Sequence, residues 1–129
     1  MQDEKKLVVY EKSLQLAQEV YRLTFPHEET YGLQSQIRRA ATSISLNIAE
    51  GTGRFTQNDF KHFLVQARGS AKEVVTALEL SKRLGFISSE QHQRVTEIAE
   101  SVAKMLSALI TKIGERNDGR KNSLPPTTN

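Results

Sequence analysis

The stretch SISLNIAEGTGRF, residues 43–55, places polar side chains where an apolar helical pattern comes to its end. Asn47 and Glu50 interrupt the apolar spacing, and the run GTGR follows at positions 51–54. An amide, a carboxylate and a guanidinium this close together could bind phosphate, hold a metal, support hydrolysis or join two helices. The first three kinds of site each need further residues, for which the rest of the sequence can be searched.

The glycine pair does not have the form of a phosphate-binding loop. A P-loop requires the longer run Gly-x-x-x-x-Gly-Lys-Ser/Thr between a strand and a helix. Here the glycines follow a helical pattern, and the Gly-Lys-Ser/Thr ending is missing. We therefore interpret residues 51–55 as the end of one helix and a short turn, with the next helix starting at Thr56.

Metal and hydrolytic sites also lack their partners. The chain has no cysteine, which excludes thiolate ligands and disulfides. Helical bundles can hold two metal ions through Glu-x-x-His pairs, but the only related spacing joins Asp59, a capping residue, to His62. Ser43 and Ser45 lie near Glu50, yet no histidine stands at helical spacing to activate either hydroxyl. We therefore expect no enzyme activity, no metal and no cofactor.

The remaining interpretation is a structural polar seam along one helix, since residues three or four apart share a helical face. The seam contains Gln36, Arg39 (or Ala40), Ser43, Asn47 and Glu50. A buried amide in a helical interface can fix register or oligomeric state. A carboxylate in the last turn opposes the helix dipole, so we expect it to have a partner. The candidate partners are Arg39, Arg54 and Arg68.

This interpretation makes Asn47 and Glu50 structural residues. Replacing the carboxylate by Glu50→Ala would then strand a partly buried arginine or leave backbone donors unpaired. The expected loss of stability is about 1–3 kcal/mol.

Four apolar stripes at helical spacing predict the elements that carry these residues. The predicted helices are 4–25, 31–51, 56–84 and 88–115. The first is expected to stop before Pro26, because the residue before a proline is pushed out of the helical region. Two pairs have the spacing of capping boxes, Thr56–Asp59 and Ser88–Gln91. Gly51 and Gly85 stand where C-terminal glycines are expected.

The expected fold is an all-α, antiparallel up-down four-helix bundle over residues 1–116. Residues 117–129 show no periodicity and are expected to form a disordered tail. No apolar run approaches the length of a membrane span, and the charged N-terminus has no signal-peptide pattern. We therefore expect a soluble cytoplasmic protein without a membrane partner.

Positive charge is concentrated in the middle of the chain. The net charge is +3, whereas residues 33–72 alone sum to +4. A local basic excess permits nucleic-acid binding, although a solvated helix face with paired charges explains it equally well. Adjacent arginines lie about 100° apart on a helix, so Arg39 is assigned to the seam and Arg38 to the surface. Together with Lys61 and Lys72, Arg38 forms the predicted set of phosphate contacts.

Three longer motifs carry a resemblance to a known family. They are YGLxSQIRRAAxSI at 31–44, NIAEGxGR at 47–54 and FLxxARGS at 63–70. Over about residues 7–113 the chain resembles the four-helix-bundle proteins encoded in intervening sequences of bacterial 23S ribosomal RNA genes. It departs from them at Ser45, where members often have proline, and at Tyr10, where they often have tryptophan. Losing the proline is expected to straighten the second helix without changing the fold.

The resemblance implies a homopentameric ring of bundles, and it does not imply an enzyme. It also implies kinship in fold with the basic accessory proteins of diversity-generating retroelements, which partner a reverse transcriptase and RNA. The leading hypothesis is therefore a homo-oligomeric scaffold that binds RNA, DNA or a ribonucleoprotein. The alternative is a protein-interaction or structural assembly without a nucleic-acid role. Few aromatic residues are available for stacking on bases; Phe55 is the best candidate, but we expect it in the core or at a hinge, and Tyr31 is ambiguous.

Overall fold

The computed structural model describes the backbone of residues 3–122 and the side chains of residues 4–115. Over this range the chain is all-α, with four helices and one short 3-10 turn. The elements are α1 Asp3–Arg22, the 3-10 turn His27–Glu29, α2 Leu33–Thr52, α3 Gln57–Arg83 and α4 Ser89–Asn122. Within the described part, no helix is both long and apolar enough to cross a membrane.

Each helix packs against its neighbours in the chain, and α4 returns to pack against α1. Contacts across the helix pairs show that neighbours run in opposite directions. Along α3 and α4, for example, Arg68 reaches Ser107, while further up α3 Glu79 meets His92 at the start of α4. The predicted four-helix, all-α architecture is confirmed for the residues described.

The apolar stripes of the four helices meet in one core, as their spacing predicted. Its fully buried large side chains include Val9, Leu16, Val20, Ile37, Ile44, Ile48, Leu64, Val74, Leu78, Val95, Leu106 and Ile113. Burying each such side chain contributes about 1.5–3 kcal/mol relative to leaving it in water. This core fixes the rotation of every helix, and so decides which polar residues face outward.

The capping predictions hold at three helix ends. Thr56 Oγ1 accepts a hydrogen bond from the Asp59 amide at 3.1 Å. Ser88 and Gln91 form a reciprocal box, in which each backbone amide donates to the other side chain. Gly85 has φ +80°, the left-handed conformation that favours glycine at a helix C-terminus.

Gly51 does not have the capping role that the sequence predicted. Helix α2 continues to Thr52, and Gly53 follows it without a positive φ. Gly51 is instead buried inside the helix, where an added Cβ would lie 2.9 Å from Cβ of Phe63 and 3.0 Å from the ring of Phe60. It is therefore glycine because α2 and α3 approach closely here.

The first helix ends earlier than predicted. Regular helix stops at Arg22, although Leu23 and Phe25 remain buried. These two side chains continue the apolar pattern while the backbone leaves the helix ahead of Pro26. Phe25 packs edge-on against Phe86 of the α3–α4 connection, with ring centroids 6.2 Å apart. The pattern thus identified core residues but not the end of the helix.

The last helix extends beyond its predicted end. The sequence placed the boundary of the bundle at residue 116 and a tail at 117–129, whereas α4 continues to Asn122. Backbone hydrogen bonds can extend a helix where no apolar stripe remains. Residues 123–129 of the predicted tail lie outside the described residues.

Candidate nucleic-acid interface

The two adjacent arginines of α2 face the opposite way from the prediction. Arg38 is half-buried against α1, with its Cζ 4.6 Å from the centre of the Tyr21 ring and a 3.2 Å hydrogen bond to the Tyr21 carbonyl. Arg39, which the sequence assigned to pairing, is exposed. Arg38 was predicted to lie on the surface and Arg39 in the seam, and this assignment is wrong. The Arg38 guanidinium contacts Tyr21 and so joins α1 to α2.

The other two predicted phosphate contacts lie on one side of α3. Lys61, Arg68 and Lys72 are separated by seven and four residues, which places them on one helical stripe. This stripe faces α4: Arg68 donates to Ser107 Oγ at 3.3 Å, and Nζ of Lys61 lies 3.9 Å from the position that a Cβ on Gly114 would occupy.

A fourth cation on α4 completes this surface. Lys104 and Lys72 line the same shallow groove between α3 and α4. We call Lys61, Arg68, Lys72 and Lys104 the basic stripe. Lys72 and Lys104 are exposed, and Lys61 and Arg68 are half-buried. Glu97 and Glu100 also line the groove, on the side nearer the α3–α4 connection. The positive charges of the basic stripe therefore lie on the side nearer the α2–α3 turn.

The polar seam predicted along α2 separates into different environments. Asn47 Nδ2 donates to the carbonyl of Ser43 at 2.9 Å and to its Oγ at 3.0 Å. Ser70 on α3 donates to the same Ser43 Oγ at 3.0 Å. This half-buried network joins α2 to α3, as expected for a structural joint, while Gln36 lies exposed at the start of the seam.

The partner of Glu50 is Arg54. The Glu50 Oε2 to Arg54 Nη2 distance is 2.7 Å, and the two side chains are 59% and 41% exposed. The Arg54 guanidinium also lies over the Phe63 ring, 4.6 Å from its centre. Arg54, one of the three predicted candidates, is thus partly covered, whereas Glu50 is exposed. Arg68, another candidate partner, belongs to the basic stripe.

The residue after Arg54 departs most clearly from expectation. The sequence predicts Phe55 in the core or at a hinge; the residue lies in the turn between α2 and α3, and its side chain is fully exposed and not in the core. Tyr31, in the connection between α1 and α2, is also almost fully exposed at 96%. The two aromatics therefore stand at opposite ends of α2.

Three serines are buried: Ser13, Ser45 and Ser81. Ser81 lies on the apolar stripe that the sequence predicts for the third helix, whereas Ser13 and Ser45 are not predicted as core residues. Ser13 and Ser45 share a hydrogen bond of 2.9 Å between α1 and α2. Ser81 donates to the Ala77 carbonyl within α3 at 2.7 Å. The available signal was their position within apolar stripes, since a polar residue inside such a stripe is carried into the core.

One end of the bundle also exposes apolar side chains. Leu7 and Val8 on α1 are 58% and 53% exposed. They line an open groove whose other wall is formed by Met105, Ala108 and Leu109 of α4. We call this surface the α1–α4 groove. Glu4, Lys5 and Lys112 also line it.

Comparisons with known proteins agree with this architecture. The chain is similar to a crystal structure of a protein with unknown function from the S23 ribosomal protein family of Bacteroides thetaiotaomicron. The two are 30% identical, the match covers 83% of this chain and 98% of the other, and the TM-score is 0.77. No curated protein matches the chain. The sequence profile of the family described as 23S rRNA-intervening sequence protein matches residues 5–108, and the chain belongs to that family.

Proposed function

We propose that the protein is a non-enzymatic, self-assembling scaffold that binds nucleic acid through the basic stripe. The observation that carries the proposal is the alignment of four cations along one seam of the bundle. Lys61 and Lys72 are eleven residues apart on α3, which corresponds to about 16 Å along the helix axis. A polyanion lying along this seam would meet successive positive charges.

The chemistry of these cations suits phosphates rather than base edges. Lysine ammonium groups on a helix surface neutralise phosphate charge and release counterions, which supplies affinity with little sequence information. We therefore expect binding to RNA and DNA that is micromolar or weaker at physiological salt and falls steeply as salt rises. The acidic residues Glu97 and Glu100 limit the length of nucleic acid that one subunit would contact.

Self-assembly would strengthen such weak binding. The α1–α4 groove exposes two large aliphatic side chains side by side, which is typical of a surface that another molecule covers. A second copy of the chain is the proposed occupant, and the family resemblance gives five copies in a ring. Repeating the basic stripe around a ring would raise the avidity for a long polyanion without any new contact.

The test removes the three lysines of the basic stripe, and a control variant removes three cations elsewhere, so that both variants have the same net charge. One variant carries Lys61→Gln, Lys72→Gln and Lys104→Gln; Arg68 is kept because of its bond to Ser107. The control carries Arg22→Gln, Lys82→Gln and Arg94→Gln. These three exposed cations lie at the other end of the bundle, near the α3–α4 connection.

Binding to a short RNA and a short DNA is then measured across a salt series. We expect the stripe variant to bind more weakly and to lower the salt slope by about 2, while the control behaves like the original protein. Equal losses in both variants would mean that only net charge matters. If the unaltered protein binds neither nucleic acid at low salt, the proposal fails, and a scaffold that binds only proteins becomes the better hypothesis.

A further inference from the structure

We infer that Phe55 is a base-stacking residue, so that the nucleic acid bound by this protein is single-stranded. The inference rests on the proposed nucleic-acid function and names its substrate class. It is carried by the exposure of Phe55, the contacts that hold the residues on both sides of it, the polar residues that flank it in the chain and its place in the chain shortly before the first lysine of the basic stripe.

The exposure of Phe55 is unusual for its chemistry. Phenylalanine is among the residues most often buried in folded proteins, yet this side chain is fully exposed. Tyrosine can tolerate such a position because its hydroxyl remains hydrated, as at Tyr31, but phenylalanine has no polar group. Both faces of the Phe55 ring are therefore free to be covered by a flat partner.

The turn that carries Phe55 is fixed on both sides. The preceding residue, Arg54, is held by the 2.7 Å pair with Glu50 and by the ring of Phe63. The following residue, Thr56, caps α3 through its 3.1 Å hydrogen bond from Asp59. Because its backbone is already ordered, Phe55 can be used in binding without the entropic cost of ordering a loop.

The surroundings of Phe55 favour a nucleobase over an apolar protein surface. Protein docking sites place their anchors in a contiguous apolar patch, whereas the exposed neighbours of Phe55 in the chain are polar or charged. The start of α1 also reaches this end of α2, where Leu7 lines a groove with Ala49 and Thr52, and the neighbouring Lys6 adds a cation, with its Nζ 4.7 Å from the centre of the Phe60 ring. A fully exposed aromatic ring next to cations is an arrangement that stacks on a base of a single strand.

The position of Phe55 lets one strand reach both features. Phe55 precedes α3 by two residues, and Lys61 lies one turn into that helix. A strand whose phosphates follow the basic stripe therefore arrives at Phe55 at the end of the stripe. In a duplex the bases are already stacked on one another, so their faces are not available to the ring.

The absence of tryptophan from the chain allows a direct optical test. In Phe55→Trp the new indole would be the single tryptophan, and stacking on a base should quench its fluorescence. Tyr31→Trp is the matched control, because that position is also highly exposed but lies at the opposite end of α2. The probes are oligouridylate, oligothymidylate, an abasic oligonucleotide and a duplex of equal length.

We expect oligouridylate and oligothymidylate to quench Phe55→Trp but not Tyr31→Trp, and the abasic strand to bind without quenching. Phe55→Ala should weaken single-strand binding by about five- to hundredfold, leave duplex binding unchanged and preserve the molecular mass in light scattering. Phe55→Tyr should restore the affinity, because its ring stacks in the same way.

Three results would overturn the inference. In the first, Phe55→Ala binds single strands as tightly as the unaltered protein, while the stripe variant still loses binding. The proposed function then stands, and the inference that Phe55 stacks on bases fails. Phe55→Ala could instead lower the oligomeric mass, which would make Phe55 a contact between copies. If neither single strands nor duplex bind the unaltered protein, the proposed function fails and the stacking inference fails with it.

Discussion

Ser13 of α1 and Ser45 of α2 are joined by a hydrogen bond of 2.9 Å in the interior of the bundle. Ser13 is completely buried and Ser45 is 7% exposed. Ser13 also donates its single hydroxyl proton to the Tyr10 carbonyl at 2.6 Å. The bond between the two serines is therefore donated by Ser45, which makes the two side chains unequal.

This asymmetry predicts different costs for two similar substitutions. Ser13→Ala removes the acceptor and leaves the Ser45 hydroxyl to find another partner, with an expected loss of about 1–2 kcal/mol. Ser45→Ala leaves Ser13 bonded to Tyr10, and the expected loss is about 0.5–1 kcal/mol. Urea unfolding of both single variants and the double variant measures the coupling. Strictly additive losses would contradict a direct bond.

The Glu50–Arg54 pair predicts a small effect in place of the large one first expected. Glu50→Ala removes an exposed pair spaced four residues apart, so the free energy of unfolding should fall by less than about 1 kcal/mol. Raising the salt concentration should reduce even this difference. Thermal unfolding at low and high salt tests the prediction, and a loss of several kcal/mol at both would show a role beyond the pair.

Two glycines in the helices provide matched substitutions with opposite expected signs. Gly51→Ala would bring its Cβ within 3.0 Å of Phe63 and Phe60, forcing α2 and α3 apart at a cost of about 1–3 kcal/mol. Gly69→Ala meets no atom within 4 Å and should stabilise α3 by about 0.5–1 kcal/mol. Chemical denaturation of both variants compares them directly. Equal effects would mean that the close approach at Gly51 is unimportant.

Arg38 and Arg39 form a second matched pair. Arg38→Gln removes the cation from the face of the Tyr21 ring and breaks its link to α1, and the expected loss is about 0.5–2 kcal/mol. Arg39→Gln changes an exposed side chain and should stay within about 0.5 kcal/mol of the unaltered protein. Thermal unfolding midpoints of the two variants, measured side by side, show which substitution costs more stability. A larger loss at Arg39 would support the seam originally predicted from the sequence.

The α1–α4 groove predicts how assembly can be disrupted. Leu7→Glu with Val8→Glu places two charges on the proposed contact and should lower the mass measured by light scattering, while the helical circular dichroism persists. Leu84→Glu is the control, because this residue is similarly exposed at 54% but lies in the α3–α4 connection. A monomeric mass for the unaltered protein at micromolar concentration would contradict self-assembly.

The sequence predicted the helices and their caps well because both depend on local patterns. Apolar spacing identifies a buried face, and capping residues lie within three positions of one another. The end of α1 was misplaced because Leu23 and Phe25 are buried without being helical. Apolar periodicity reports burial, whereas the end of a helix depends on backbone conformation.

The polar residues were harder to place because the predicted seam was a wide stripe. Alternating steps of three and four residues spread the seam over about 80° of the α2 surface. Ser43 and Asn47 fall on the side that meets α3, whereas Arg39 and Glu50 fall on the side that meets water. Which edge is buried depends on the positions of the neighbouring helices, and the sequence of α2 alone does not contain that information.

Two of the contacts between α3 and α4 are separated by the same interval on both helices. Lys61 lies beside Gly114 and Arg68 bonds to Ser107, so the two contacts are separated by seven residues on each helix. A pattern with this repeat returns to the same face after two turns. Matched insertions of seven residues in all four helices would therefore lengthen the bundle by about 10 Å while preserving the pairing across the seam. Seven residues per helix is therefore the smallest step by which the bundle could be lengthened while its helices keep the same packing in cross-section.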